Sequence, residues 1–304
     1  MDCNPDEAVR KRRAMKVSIL GMGRMGAAMA RRLAGDDFEL TVWNRSPEPA
    51  RAIADATGAT VVASAAEAAA AAEVVVSSLA DDAACDAVHT GPRGTLEGIR
   101  EGVVVLETST VDPETVRRLA ARFAEGGAHL LDAPISGSVA LVEQGTLTAM
   151  VGGEAEALER ARPVLERLTK AVFYLGESGA GATMKLAVNA LVHATNLAIA
   201  EALVLAESAG VDRRQAYEVF ASSAAASPFL LYKRAGFEDP ESAPVAFSLD
   251  LVGKDLDLIL GLAHRRGAAM PQLEVTAETT SAAIAAGRGG EDMSAVAEFL
   301  RLDR

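Results

Sequence analysis

The chain has 304 residues, of which 50% are hydrophobic and 24% are charged, and its formal net charge is −12 at pH 7. This length fits two domains, the composition excludes a disordered chain, and the acidic balance disfavours a protein that binds nucleic acid. The two cysteines, Cys3 and Cys85, are too few for a disulfide framework and fit a reducing compartment, so we expect a cytoplasmic protein.

Residues 1–14 carry mixed charges and lack the apolar segment of a secretory signal, so we predict a disordered extension. From residue 15 to residue 178, short β-branched segments alternate with segments of helical period. This alternation predicts an α/β domain with a doubly wound parallel sheet and helices on both faces. The predicted strands are Val17–Leu20, Glu39–Trp43, Val74–Leu79, Val103–Glu107, His129–Asp132, Thr146–Val151 and Val172–Leu175. The predicted helices between them are Ala27–Ala34, Pro47–Ala56, Ala83–His89, Pro113–Glu125 and Ala155–Leu168.

The first predicted strand leads directly into the segment Gly21-Met22-Gly23-Arg24-Met25-Gly26, which a helix follows. Gly21 permits a tight turn, Gly23 lets the backbone approach a pyrophosphate, and Gly26 lets the helix pack closely on the strand. The helix N-terminus adds unpaired N–H groups and the positive end of the helix dipole. Strand, glycine turn and helix together predict a Rossmann-type site in which these six residues bind a dinucleotide.

The end of the second predicted strand indicates which dinucleotide binds. An acidic residue there would hydrogen-bond the ribose 2′-hydroxyl of NAD, but this chain has Asn44, Arg45 and Ser46. Arg45 can pair with a 2′-phosphate through a charge-assisted fork. We therefore predict that these three residues bind the cofactor and that NADP(H) is preferred over NAD(H). The alternative is a solvated arginine in a surface loop.

Open parallel sheets bind ligands at the carboxyl ends of their strands. Two such ends are rich in hydroxyl groups, namely Thr108-Ser109-Thr110 and Ser136-Gly137-Ser138. The second segment is either an anion cradle for a small carboxylate or an ordinary turn, and its spacing favours neither.

The strand signal disappears after residue 178, and residues 179–304 predict an all-α domain. Its first helix, Ala182–Ala209, is apolar around most of its circumference and must be buried within the domain or against a second subunit. We expect a homodimer or tetramer formed through this domain. The longest segment without a charge, Leu186–Ala200, is too short to span a membrane. An N-cap and capping box at Asp212–Gln215 predict the start of another helix. The further predicted helices are Phe247–Arg266, Gln272–Ala286 and Met293 to the end.

Lys185 and Asn189 lie four residues apart near the start of this long helix and therefore share one face. A lysine among apolar neighbours at a helix start should have a lowered pKa, which suits a general acid near neutral pH. The alternative is a solvated lysine in the first turn. His193 lies on roughly the same face and is interpreted as a packing or hydrogen-bonding residue. Lys254 is interpreted from its spacing as part of a surface charge pair.

Several other kinds of site lack their motifs. The four histidines are scattered and the cysteines are not clustered, so we predict no metal site. The chain contains no G-x-S-x-G elbow of a serine hydrolase and no P-loop lysine after its glycine turn.

Taken together, these residues resemble the β-hydroxyacid dehydrogenases, which include 3-hydroxyisobutyrate dehydrogenase and the glyoxylate/succinic semialdehyde reductases. The resemblance extends from about residue 16 to residue 300. Its four ordered blocks are Gly21–Gly26, Asp132–Ser138, Gly179–Asn189 with Gly181 and Lys185, and Lys254–Leu256. The resemblance implies a Rossmann-type domain followed by an all-α domain that carries substrate and subunit contacts.

The resemblance also implies a role for each matched residue. Lys185 would be the general acid/base, Asn189 would orient the substrate or the lysine, and Ser136, Gly137 and Ser138 would hold the substrate carboxylate. The matched residues that would lie around the nicotinamide or line the substrate site are Leu79, Thr110, Lys254, Phe247 and Asp255.

Two positions depart from the family pattern, because Glu107 stands where an aspartate is usual and Ala80 where a proline is usual. Both would flank the nicotinamide pocket, so the substrate range is less certain than the reaction type. We expect an NADP(H)-dependent enzyme that transfers a hydride to or from a small carboxylate-bearing aldehyde or hydroxy acid, of the 3-hydroxyisobutyrate, glyoxylate or succinic semialdehyde class. The alternatives are an imine reductase of the same fold, although these generally lack the lysine, and a non-catalytic NADP-binding module.

Overall fold

The computed structural model describes residues 13–302, so the predicted N-terminal extension lies almost wholly outside the described residues. The chain divides between Lys185 and Leu186 into two compact units. The sequence instead predicts the division between residues 178 and 179. The difference arises because the start of the long helix belongs to the first unit, where Ala182 packs into the apolar core.

The first unit is built on six parallel strands in the order β3-β2-β1-β4-β5-β6. Their bounds are β1 Met15–Leu20, β2 Phe38–Trp43, β3 Thr60–Val61, β4 Val74–Ser77, β5 Val104–Glu107 and β6 His129–Asp132. Alternate residues of one strand enter different cores: Val74 and Val76 pack on one face and Val75 on the other. Because both faces are covered, most residues of these strands are apolar and buried. The predicted doubly wound sheet is confirmed.

Three of the helices that cover this sheet begin at an N-cap residue whose side chain accepts a backbone hydrogen bond. Ser64, Asp81 and Asp112 each accept a backbone N–H bond at a helix N-terminus through a side-chain oxygen. The helices of the first unit are α1 Arg24–Leu33, α2 Pro47–Thr57, α3 Ala65–Ala71, α4 Asp82–Thr90, α5 Thr95–Gly98, α6 Pro113–Glu125, α7 Val139–Gln144 and α8 Ala155–Leu168.

The last two predicted strands do not extend the large sheet. They correspond to β8 Leu147–Val151 and β9 Thr169–Tyr174. With the unpredicted strand β7 Ile135–Ser136 they form a separate three-stranded sheet. β7 and β8 pair antiparallel, whereas β8 and β9 pair parallel. Only two residues separate β6 from β7, and a parallel crossover needs about a dozen. The chain therefore leaves the large sheet at Asp132.

The second unit consists of helices joined by loops over its described residues, which confirms the predicted all-α half. The helices are α9 Ala180–Ser208, α10 Arg213–Ser222, α11 Pro228–Glu238, α12 Leu249–Arg266, α13 Pro271–Ala283 and α14 Val296–Leu302, with a π turn at Ile284–Arg288 and a 3₁₀ turn at Met293–Ala295. Two differences bear on the site. The sequence does not predict α11, and α12 starts after Ser248, so Phe247 lies in the preceding loop.

Within residues 13–302, α9 is the one helix long and apolar enough to cross a membrane by length and composition alone. Half of its most apolar window is buried inside the protein. A core helix of a globular domain has the same properties, so the composition of α9 does not identify a membrane protein.

Candidate cofactor and substrate site

The glycine loop between β1 and α1 shows a different constraint at each glycine. Gly21 has φ +91°, and a Cβ there would collide with the carbonyl oxygen of Ser78. A Cβ at Gly26 would collide with the carbonyl oxygen of Gly21. A Cβ at Gly23 would meet only open space. Gly21 and Gly26 are therefore required for close backbone packing. Gly23 leaves open space beside the N-terminus of α1, and this space suits a pyrophosphate.

Asn44 shapes this loop through both ends of its carboxamide. Its Oδ1 accepts the Met22 N–H at 2.8 Å, and its Nδ2 donates to the carbonyl oxygen of Ser46 at 2.9 Å. Arg45 and Ser46 are exposed, and Ser46 occupies the N-cap of α2 without a side-chain capping bond. The arginine and the serine hydroxyl are therefore available to an anionic group, whereas Asn44 is committed to the loop.

A buried polar cluster lies beneath the ends of β4 and β5. Glu107 has 0% exposure and accepts hydrogen bonds from the Ser77 hydroxyl at 2.7 Å, the Ser109 N–H at 2.8 Å and His89 Nε2 at 2.9 Å. Because a carboxylate only accepts, the His89 ring carries a proton on Nε2. Burial alone would raise the pKa of Glu107, but the hydrogen bond and charge interaction with His89 hold it below its ordinary value.

This cluster joins the two loops that contain Leu79 and Thr110. The Ser109 hydroxyl accepts the Leu79 N–H at 2.7 Å, while the Ser109 backbone is held by Glu107. Glu107, which departs from the family pattern, therefore supports the two loops from a buried position. Sequence reasoning missed His89 because its partner lies 18 residues away and no local pattern marks the pair.

The segment Ser136-Gly137-Ser138 connects β7 to α7. Gly137 has φ +140°, and a Cβ there would approach the Leu147 side chain at 2.6 Å. Ser138 is the N-cap of α7 but makes no side-chain capping bond. Both serines are half-buried, and neither hydroxyl is bonded to another of the described residues. This loop can offer two hydroxyl donors to a small ligand.

In the second unit, Asn189 and Asp255 form a buried pair. Asn189 Nδ2 donates to Asp255 Oδ2 at 2.6 Å, and Lys254 Nζ lies 3.0 Å from Asp255 Oδ1. Burial would raise the pKa of Asp255, but His193 and Lys254 hold it low, so Asp255 is a carboxylate. The pairing turns the amide nitrogen of Asn189 toward Asp255, and its carbonyl oxygen remains as an acceptor on the helix that carries Lys185.

His193 lies beside this pair, where the sequence predicts a packing or hydrogen-bonding residue. Its ring is 2% exposed and stacks on Phe247 with centroids 6.1 Å apart. Nε2 lies 3.5 Å from Asp255 Oδ2, which is a close electrostatic contact rather than a hydrogen bond. The sequence indicates its position one helical turn after Asn189, but not its contact with Asp255 on α12.

Phe247 is fixed by a buried ion pair that sequence reasoning also missed. Asp292 Oδ2 accepts the N–H groups of Ala246 and Phe247 at 2.8 and 3.1 Å. Lys233 Nζ lies 2.7 Å from Asp292 Oδ1. The partners are 59 residues apart in sequence, and Lys233 lies on the unpredicted helix α11.

The predicted site residues therefore fall into two groups. The first unit brings the glycine loop, the Leu79 and Thr110 loops, the 136–138 loop and Lys185 into one fold. The second unit brings Asn189, Phe247, Lys254 and Asp255 together around His193. Residues 13–302 contain no group of three or more metal-binding side chains of the histidine, cysteine, aspartate or glutamate type.

Two family models match nearly all of the described residues. The family model of the NAD binding domain of 6-phosphogluconate dehydrogenase matches residues 16–176. The model described as NAD-binding of NADP-dependent 3-hydroxyisobutyrate dehydrogenase matches residues 179–300. Glyoxylate/succinic semialdehyde reductase 1 of Arabidopsis thaliana is 33% identical over 290 residues, covering 95% of this chain and 100% of the relative.

Solved structures show the same relationship. 3-Hydroxyisobutyrate dehydrogenase from Salmonella typhimurium matches with a TM-score of 0.87 at 28% identity, over 94% of this chain and 99% of that one. An imine reductase from Pseudomonas sp. matches with a TM-score of 0.64 at 24% identity, over 95% and 99% of the two chains. The second match shows a shared fold and nothing further.

Proposed function

We propose that this chain, which belongs to the β-hydroxyacid dehydrogenase family, is an NADP(H)-dependent reductase of short carboxylate-bearing aldehydes or 2-oxo acids. At the coarser level, it is an NAD(P)-dependent oxidoreductase acting on CH–OH groups. The observation that carries the finer proposal lies within the first unit. There, an open glycine beside the N-terminus of α1 accompanies a loop with two unbonded serine hydroxyls.

The proposed reaction assigns each group a task. Bound NADPH supplies a hydride, which is a proton with two electrons, to the carbonyl carbon. The Ser136–Ser138 loop holds the substrate carboxylate and so orients the carbonyl group. Lys185 donates a proton to the carbonyl oxygen as negative charge develops there, which completes the hydroxyl group. In the reverse direction the neutral lysine accepts the hydroxyl proton.

Asn189 serves this step as an acceptor. Since its amide nitrogen is committed to Asp255 at 2.6 Å, its oxygen is available to accept a hydrogen bond from the substrate hydroxyl. Asp255 is 1% exposed, so we assign it to holding Asn189 rather than to contacting substrate directly. This refines the role that the family resemblance implies for Asp255.

The preference for NADP(H) is tested by Arg45→Ala. We expect the Kd for NADPH to rise about 10- to 100-fold, because one charge-assisted contact to the 2′-phosphate is lost. The Kd for NADH should hardly change, since NADH lacks that phosphate. Fluorescence titration measures both constants, and Arg51→Ala is the control because Arg51 is another exposed arginine, on α2. Equal losses for the two cofactors, or tighter binding of NADH by the wild type, would contradict the preference.

The substrate class is tested by steady-state rates with NADPH and with NADH over one panel. The panel holds glyoxylate, succinic semialdehyde, 3-hydroxyisobutyrate in the oxidative direction, and a cyclic imine. The proposal expects kcat/KM to be highest for a carboxylate-bearing aldehyde or its hydroxy acid. A cyclic imine that reacts faster than every aldehyde would identify an imine reductase instead. NADPH binding without turnover of any compound would indicate a non-catalytic module.

We also propose that the protein is a homodimer or tetramer formed through α9. Leu191 and Leu205 are 71% and 68% exposed in the single chain, and together with Ala198 and Ala202 they form an apolar stripe on one face of the helix. The double variant Leu191→Glu, Leu205→Glu should lower the molar mass of the protein in solution, measured by light scattering. The mass should fall to one half for a dimer and to one half or one quarter for a tetramer. Val219→Glu is the control, because Val219 is 64% exposed on α10. A monomeric wild type would refute the proposal.

The proposed location is the cytoplasm, without a nucleic-acid or membrane partner. What supports it is the net charge of −12 and a cysteine content that suits a reducing compartment.

A further inference from the structure

Asp132 carries a buried carboxylate at the carboxyl end of β6, with 0% exposure. Its Oδ1 accepts the Gly179 N–H at 2.9 Å, and its Oδ2 accepts the Ala182 N–H at 2.8 Å. Both amides lie at the start of α9, where backbone donors have no partner within the helix. A single side chain therefore fixes the beginning of the helix that carries Lys185.

The surrounding backbone packs closely around Asp132. A Cβ at Gly152 would lie 2.7 Å from Asp132 Oδ1, and a Cβ at Gly181 would lie 2.7 Å from the Asp132 carbonyl oxygen. The same carbonyl accepts the Gly152 N–H at 2.8 Å, which joins the end of β6 to the small sheet. The ends of β6 and β8 and the start of α9 thus meet at Asp132.

Asp132 is linked to the 136–138 loop through the main chain and to the start of α9 through its side chain. Along the main chain it precedes Ser136 by four residues, and that serine begins the proposed carboxylate-binding loop. Through its side chain it holds Ala182, which precedes Lys185 by less than one helical turn. The loop that would bind the substrate carboxylate and the lysine that would protonate the carbonyl oxygen share this anchor.

We propose that Asp132 is a positioning residue that sets the separation between the 136–138 loop and Lys185. This inference rests on the proposed reduction of carboxylate-bearing aldehydes. A substrate held by its carboxylate has its carbonyl at a fixed distance and needs Lys185 at a matching position. An aldehyde without a carboxylate is not held and can adjust to a displaced lysine. Loss of Asp132 should therefore affect anchored substrates selectively.

The test compares glyoxylate with acetaldehyde, a two-carbon aldehyde that lacks the carboxylate. Asp132→Asn places an amide NH₂ against one backbone N–H donor and so breaks one of the two bonds. We expect kcat/KM for glyoxylate to fall about 100-fold, since a misplacement near 1 Å has effects of that order. The value for acetaldehyde should fall less than about 10-fold, and the Kd for NADPH should be unchanged. Equal losses for the two aldehydes would overturn the proposal, since a general loss of structure affects both.

Asp212→Asn is the matched control. Asp212 Oδ1 accepts two backbone N–H groups at the start of α10, both at 3.0 Å, and α10 carries none of the proposed site residues. This variant should leave the ratio of the two kcat/KM values unchanged. The same change of ratio in the control would also overturn the proposal. If Asp132→Asn does not fold, Asp132→Ser, which keeps one acceptor, takes its place.

Amide hydrogen exchange separates this proposal from the proposed function. Asp132→Asn should accelerate exchange at Gly179 and Ala182 and in the first turn of α9, while the exchange of α6 and β1 remains as in the wild type. This result supports the anchor even if the wild type reduces neither aldehyde, in which case only the proposed function fails. Unchanged exchange at the start of α9 overturns the anchor whatever the activity.

Discussion

Replacing Lys185 with alanine is expected to lower kcat for aldehyde reduction by about 10²- to 10⁴-fold, the range that a positioned general acid contributes. Lys185 is half-buried in the second turn of α9, on the face shared with Asn189. The variant removes the proton donor but leaves the glycine loop intact. The Kd for NADPH should therefore stay within about twofold of the wild-type value, since binding and proton transfer are separate here.

The control for this variant is Lys170→Ala. Lys170 is an exposed lysine on β9, so the substitution removes the same charge away from α9. Stopped-flow reduction under single-turnover conditions measures the chemical step apart from product release. A Lys185→Ala variant that reduces glyoxylate and succinic semialdehyde at the wild-type rate would exclude Lys185 as the general acid.

Replacing Glu107 with alanine is expected to lower the free energy of unfolding by about 3–5 kcal/mol, because a buried carboxylate that accepts several hydrogen bonds is removed. His89, Ser77 and the Ser109 N–H would all lose their acceptor at a position with no access to water. Denaturant unfolding monitored by circular dichroism measures the loss. Glu159→Ala is the control, because Glu159 pairs with Arg162 on the exposed face of α8 and should contribute little.

The same cluster gives the stability a defined pH dependence. The pKa of Glu107 lies below its ordinary value of 4.5 in the folded protein, because the opposing interactions of His89 exceed the cost of burial. A carboxyl with a depressed folded pKa stabilises the fold above its unfolded pKa and loses that contribution as the pH falls. The difference in unfolding free energy between wild type and Glu107→Ala should therefore shrink as the pH falls below about 4.5. A difference that grows on acidification would contradict this assignment.

The sequence predicts five of the six strands of the large sheet because they are short, mostly apolar segments between helical ones; the two-residue strand β3 is too short to be recognised. The glycine loop is equally readable, since strand, turn and helix follow one another within a dozen residues. Arg45 can also be identified from the sequence, because it lies in the short turn between the second predicted strand and the helix that follows. The roles of the individual site residues remain predictions, because their chemistry depends on a ligand and on measured rates.

What the sequence does not reveal depends on contacts between distant residues. The short strand β7 has only two residues, and its pairing with β8 is set by the two-residue link after Asp132. The ion pair of Lys233 and Asp292 joins residues 59 positions apart. The contact of His193 with Asp255 is likewise hidden from the sequence, because Asp255 comes from another helix.

The central claim, hydride transfer from the nicotinamide to the carbonyl carbon of a short carboxylate-bearing aldehyde, is tested most directly by isotope transfer. NADPH with deuterium at both C4 positions is incubated with the wild-type protein and glyoxylate or succinic semialdehyde, and the product is examined by NMR. The account predicts one deuterium on the carbon that carries the new hydroxyl group, in a 1:1 ratio to NADPH consumed. Product without deuterium at that carbon, or no NADPH consumption with either aldehyde, would contradict it.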